Sequence, residues 1–165
     1  MKDRREGGHV LKQLLTREFI QFRDKCEDWQ EALDVVASPL LQNEKVNRDY
    51  VQTIAQAVQD GRADYIVLRP GFALPHARVE DGVYETAMSL LKLEQPVYFK
   101  DDETIPLYVI VMLAAVDAEE HLLTLSQLID CIAEDADFDR VKAMAHKDEL
   151  VAFIAAKGLN EKERR

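Results

Sequence analysis

Apolar residues recur along this chain with two different periods, and the places where the period changes mark its elements. Residues 10–15 form a short apolar stretch compatible with a helix. Residues 18–23 hold Phe19, Ile20 and Phe22 in a short β-rich run, which predicts a strand. Asp28 is followed three positions later by Glu31, the spacing of a capping box. Behind it Trp29, Ala32, Leu33, Val36 and Leu40 recur at intervals of three and four, so an amphipathic helix follows. Asn47 is placed to cap a second helix with Val51, Ile54, Ala55 and Val58 on one face, and Gly61 is placed to end it.

The helical period then stops. Residues 65–68 are a short apolar run, broken by Pro70 and Gly71 and resumed over residues 72–74 before Pro75. Residues 86–93 alternate weakly and then meet Pro96, which predicts a strand ending there. Residues 107–116 are almost continuously apolar and uncharged, as in a strand buried on both faces. A buried helix reads similarly, but β-branched Val109, Ile110 and Val111 and the cap residue Asp117 favour the strand. Asp117 and Glu120 form a second capping box, ahead of Leu122, Leu125, Leu128, Ile129 and Ile132 on a helix. Two further helices are predicted over residues 138–145 and 148–156, the last stopping at Gly158. Strands alternating with helices imply an α/β domain with helices packed on a largely buried sheet. The expected organisation is a flexible N-terminus over residues 1–9, one domain over residues 10–158 and a flexible C-terminus over residues 159–165.

Composition narrows the function classes. The 165 residues suit one domain, and the net charge of −10 opposes binding to nucleic-acid phosphates or anionic membranes. The only basic clusters, at the two ends, are short and mixed with acids. Cys26 and Cys131 are too few for a disulfide framework and form no CxxC pair, which fits a reducing compartment. No charged start followed by an apolar stretch signals secretion, and no run approaches a membrane span. The expectation is a cytoplasmic protein with no direct membrane insertion and no nucleic-acid partner.

Candidate chemistry rests on histidines. His9 falls in the N-terminal tail, and His146 sits at a helix end beside Lys147; both read as solvent-exposed. His76 stands in Pro70-Gly71-Phe72-Ala73-Leu74-Pro75-His76-Ala77-Arg78, a proline-bounded loop leaving a strand, which sets a side chain at the rim of a sheet, where α/β sites gather. Imidazole is a competent nucleophile near neutral pH, and Arg78 is close enough in sequence to hold an anion beside the ring. A histidine after a proline is equally compatible with a structural or merely exposed ring. His121 lies in the first turn of its helix, where unpaired backbone N–H groups and the dipole favour an anion. It could donate a hydrogen bond to a phosphoryl oxygen; from spacing alone, a satisfied half-buried histidine is the simpler account. No GxGxxG, GxxxxGK[ST] or GxSxG motif is present. No HxxxH or HxH spacing supplies a third metal ligand, so neither a metal nor another cofactor is expected.

Residues 70–78 closely resemble the phosphorylation-site motif of the mannitol/fructose-type enzyme IIA family of the phosphotransferase system. Residues 114–128, with His121 ahead of a leucine-rich helix, resemble that family's second motif. The similarity spans residues 27–154, and residues 65–71 with Val116-Asp117-Ala118 resemble the ascorbate-type branch most. The resemblance implies an α/β fold with a mixed, mostly parallel central sheet flanked by helices on both faces. It implies that His76 accepts phosphate from the phosphocarrier HPr, through Nε2, and passes it to a cysteine of an enzyme IIB, with a membrane enzyme IIC further downstream. His121 would lie beside the phosphohistidine. Mannitol and nitrogen-regulatory members carry an arginine in an upstream Arg-Glu segment. The corresponding residues 59–64 hold Arg62 without matching that segment, so no role is transferred to it.

The mechanism this suggests makes His76 the nucleophile, with His121, the nearby helix start and Arg78 holding the equatorial oxygens. Two proteins must dock in turn, so a shallow apolar rim is expected, with Phe72 and Leu74 as candidates and core packing the expected fate of at least one of them. The sugar would be ascorbate or a pentitol-like compound. Two rivals stay open: a regulatory relative whose phosphorylation state selects a target protein, and a domain that has lost phosphorylation.

Overall fold

The computed structural model describes residues 10–77 and 82–163, with side chains described through residue 158. Five strands, β1 (Ile20–Arg23), β2 (Val67–Arg69), β3 (Gly71–Ala73), β4 (Ala87–Tyr98) and β5 (Pro106–Ala114), form one sheet in the order β1-β4-β5-β3-β2. The pairs β1–β4 and β3–β5 are parallel, and β4–β5 and β2–β3 antiparallel. The sheet is mixed, as expected, but its parallel share is smaller than "mostly". Strands β4 and β5 are joined by a short connection, which forces them antiparallel, and β2 turns directly into β3 through Pro70.

Helices cover both faces. One face carries α2 (Trp29–Gln42) and α3 (Arg48–Gln59); the other carries α1 (Val10–Leu14), α4 (Ala118–Ile132), α5 (Asp135–Ala143) and α6 (Lys147–Glu163). The period of two along β5 explains its unbroken apolar run. Val109, Val111 and Leu113 pack toward α4, α5 and α6, while Ile110, Met112 and Ala114 pack toward α2 and α3. Each fully buried aliphatic side chain of that kind contributes about 1.5–3 kcal/mol. The capping chemistry is as read: Asp28 accepts from Glu31 N–H, Asn47 from Tyr50 N–H and Asp117 from Glu120 N–H. Gly61 follows α3 with φ of 74°, the left-handed conformation that closes a helix.

Several boundaries differ from expectation: β1 starts at Ile20, after a 3-10 turn over Arg17–Phe19, and α5 spans Asp135–Ala143 rather than 138–145. Strand β4 runs past Pro96 to Tyr98, because its register breaks between Lys92 and Val97: four residues of β4 (93 to 96) stand opposite one of β5 (108). Pro96 falls in this bulge, where no ladder N–H is required of it. Helix α6 continues through Gly158 to Glu163, since one glycine costs a helix only about 1 kcal/mol. Lys92, which nothing in the pattern singled out, is fully buried in β4. Its Nζ donates to Met144 O at 2.7 Å and to Glu94 Oε1 at 2.6 Å, and lies 5.4 Å from the centre of the Phe22 ring. At the β1 edge, Lys147 Nζ reaches the carbonyl of Ile20 at 3.4 Å. Among the described residues no helix is long and apolar enough to cross a membrane.

Candidate functional site

Strand β3 delivers its C-terminal residues to one end of the sheet. Leu74 N–H donates to Ile66 O at 2.7 Å, and Leu113 N–H, near the end of β5, donates to Pro75 O at 3.1 Å. The chain is thus tied down on both sides immediately before His76, whose ring is half-buried. His76 Nδ1 lies 2.7 Å from Leu74 O. A carbonyl oxygen only accepts, so Nδ1 carries the proton, and in the neutral ring Nε2 keeps its lone pair.

Helix α4 brings the second histidine. Asp117 caps it, and the loop before it is held from β4: Val116 N–H donates to Thr86 Oγ1 at 3.0 Å, and Thr86 Oγ1 donates to Glu120 Oε2 at 2.6 Å. One turn in, His121 lies with its ring centre 5.2 Å from that of His76, the two planes inclined by 42°. Burial, and then repulsion from His76, hold the His121 imidazole below its ordinary pKa, so it is neutral at pH 7. The first turn of α4 also carries Glu119 and Glu120, so the positive end of its dipole already faces carboxylates of its own.

Arg78 lies outside the described residues, as does His9. Arg62 turns to a neighbouring carboxylate, its Nη2 3.0 Å from Asp60 Oδ2. His146 is remote, its N–H donating to Glu149 Oε1. The rim expectation is corrected. Phe72 and Leu74 are both fully buried, because β3 is an inner strand and both pack toward α4, α5 and α6. Among the described residues, exposed apolar side chains stand instead on Tyr65, 54% exposed and in ring contact with His76, and on Val116 and Leu122, five residues before and one after His121 in the chain.

Sequence reasoning missed two tyrosines here. Tyr65 sets its ring edge against His76, centres 5.2 Å apart at 73°, and its hydroxyl lies 3.5 Å from His76 O. Tyr50 is buried on α3, its hydroxyl 2.6 Å from Leu113 O and 3.2 Å from Ala77 N. The spacing Tyr50, Ile54, Val58 put that tyrosine on the buried face, and a buried phenol needs a polar partner; that was the available signal.

Chemically, the arrangement offers an imidazole of defined tautomer with an unprotonated nitrogen, next to a second neutral imidazole, inside an exposed apolar surround. The fold and these motifs have known counterparts. A solution structure of the mannitol-specific cryptic phosphotransferase enzyme IIA CmtB from Escherichia coli matches with a TM-score of 0.81 at 30% identity, covering 88% of this chain and 98% of that one. The fold is shared also by the Escherichia coli IIAMTL–phosphorylated IIBMTL complex, with a TM-score of 0.74 at 20% identity over 87% of this chain and 99% of that one. The ascorbate-specific PTS system EIIA component of Escherichia coli K12 is 32% identical over 136 residues, 82% of this chain and 88% of its own length. Residues 13–157 match the family described as phosphoenolpyruvate-dependent sugar phosphotransferase system, EIIA 2, and the chain belongs to that family.

Proposed function

We propose that this protein carries a phosphoryl group on His76 Nε2, received from the phosphohistidine of HPr and passed to a cysteine of an enzyme IIB. The observation that carries the proposal is the hydrogen bond from His76 Nδ1–H to Leu74 O, which leaves Nε2 as the free nucleophile beside His121. In the first step the N–P bond on HPr breaks as the Nε2–P bond forms. In the second, the Nε2–P bond breaks as a thiolate of IIB takes the phosphoryl group. His121 sits to donate a ring N–H to an equatorial oxygen, and neutralising charge there is how protein groups assist such transfers. Arg78, two residues on, is a further candidate for that role. No step requires a metal or another cofactor.

The docking surface for both partners is the apolar surround of Tyr65, Val116 and Leu122, which lets two different proteins present their reactive groups in turn. Transfer onward to IIB and a membrane IIC makes the protein a cytoplasmic component of sugar uptake. The ascorbate-specific relatives favour an ascorbate-like sugar over a pentitol.

The test mixes the protein with radiolabelled phospho-HPr and looks for an acid-labile, base-stable adduct. His76→Ala should abolish labelling, and His121→Ala should slow it while leaving residual label. Undiminished transfer in His76→Ala refutes the assignment. Addition of candidate IIB proteins then separates transport from the regulatory alternative, in which none of them removes the label.

A further inference from the structure

We infer that Tyr50 is a positioning residue for His76, holding the backbone on the far side of the reactive ring; the inference rests on the phosphoryl-carrier reading of that histidine. The residue before His76 is anchored by Leu113 N–H to Pro75 O at 3.1 Å. The residue after it is anchored by Ala77 N–H to the Tyr50 hydroxyl at 3.2 Å, and the same hydroxyl donates to Leu113 O at 2.6 Å. One residue of β5, Leu113, therefore grips both neighbours of His76, Pro75 directly through its N–H and Ala77 through the phenol on its carbonyl. With Nδ1 bonded to Leu74 O, the ring has little freedom left about its backbone.

Tyr50 is itself held by two neighbours, Asn47 and Gly82. Its N–H is capped by Asn47 Oδ1 at 3.0 Å, and Asn47 N–H donates to Gly82 O at 2.9 Å. Gly82 sits so close that a Cβ there would lie 2.6 Å from Asn47 Oδ1 and 3.1 Å from Tyr50 Cβ. The first turn of α3 thus holds both Ala77 and Gly82, the two residues that bound segment 78–81. Burial pushes the Tyr50 hydroxyl pKa up to about 12, so the group stays protonated and serves as donor and acceptor at once.

In this arrangement the phenol supplies direction rather than chemistry: it never touches the phosphoryl group. Small displacements of a nucleophile cost rate steeply, since an error near 1 Å costs on the order of a hundredfold. Tyr50→Phe keeps the packed ring and removes only the bridging oxygen. Ile54→Val, on the same buried face of α3, is the control for simple loss of stability.

Both variants and the parent are compared well below their melting temperatures, by transfer kinetics from phospho-HPr and by 15N spectra of the His76 imidazole. Tyr50→Phe should lower kcat about tenfold with KM for HPr unchanged, and should reduce the share of the Nδ1–H tautomer. Ile54→Val should change neither. Equal kcat and an unchanged tautomer in Tyr50→Phe overturn the inference, as does a parallel slowing in both variants. If the parent takes no label while the tautomer still shifts in Tyr50→Phe, the positioning stands and the phosphoryl-carrier reading falls.

Discussion

Replacing Arg69 with Met should destabilise the protein by about 2–3 kcal/mol without slowing transfer. Arg69 ends β2 and reaches the far end of α4. Its Nη1 donates to Ile132 O at 2.6 Å, its Nη2 to Asp135 Oδ1 at 2.6 Å, and its guanidinium lies 4.3 Å above the centre of the Phe138 ring. A charge-assisted bond to a helix-terminal carbonyl is worth about 1.5–3 kcal/mol, and the stacked cation adds about 1 kcal/mol. The Asp135 pair adds only a few tenths of a kcal/mol, because that carboxylate is 89% exposed. Against these gains stands Arg69 Nε, which is buried without a partner and costs about 1 kcal/mol. Methionine keeps much of the aliphatic stem, so the loss is mainly electrostatic. Urea unfolding followed by circular dichroism should show a lower midpoint at constant slope, and the melting temperature should fall by roughly 4–12 °C. Asp135→Ala alone should cost less than about 0.5 kcal/mol. Ile132 lies eleven positions beyond His121 (132 − 121), about 16 Å along the helix, so the phosphorylation rate at saturating HPr should hold. A loss below about 1 kcal/mol would show that the clamp on α4 is decorative.

Two further outcomes are expected. Gly82→Ala should lower stability by about 2–3 kcal/mol, because φ at this position is 104° and the added methyl collides with the Asn47 cap of α3; an unchanged urea midpoint would contradict this. Stability should also fall as the medium turns mildly acidic, and part of the fall should belong to His121. Its folded pKa lies below the ordinary 6.5, so the unfolded chain takes up the proton first; the stabilisation is fully present above 6.5 and is lost as the pH falls toward the lowered folded value. Urea titrations at several pH values in that window should give a flatter profile for His121→Asn than for the parent, and identical profiles would remove His121 from the linkage.

How much of this was legible depended on whether the deciding interaction was local. The caps Asp28, Asn47 and Asp117 act on N–H groups three residues away, so the starts of α2, α3 and α4 could be read directly. Strand β5 was readable because burial on both faces removes polar residues from the run. What failed was set across the fold. Pro96 breaks a strand only where the ladder needs an N–H at that position, and the bulge removed that need. Gly158 ends a helix only where nothing favours continuing it. Lys92 is buried because Met144 O and Glu94 meet its ammonium, a meeting no pattern in β4 announces. The same division runs through the site. His76 and His121 were picked out by motif, yet they are 45 positions apart (121 − 76), and only the sheet brings their rings within 5.2 Å. Phe72 and Leu74 were rim candidates of which at least one was expected in the core; both are buried, because β3 pairs with β5 inside the sheet under the α4–α6 layer. Tyr50 went unremarked and Tyr65 was read only as part of an apolar run and of the branch resemblance, since neither lies in the 70–78 segment that carries His76.

Both outermost strands of the sheet are short, three residues in β2 and four in β1, whereas β4 at the interior has twelve. An incoming strand would find almost no backbone to zip onto, and at β1 an ammonium from Lys147 already occupies the carbonyl of Ile20. Growth by lateral addition, the first step toward fibrils, is thereby stunted at both margins, and crowding many copies together should not recruit the sheet as a nucleus.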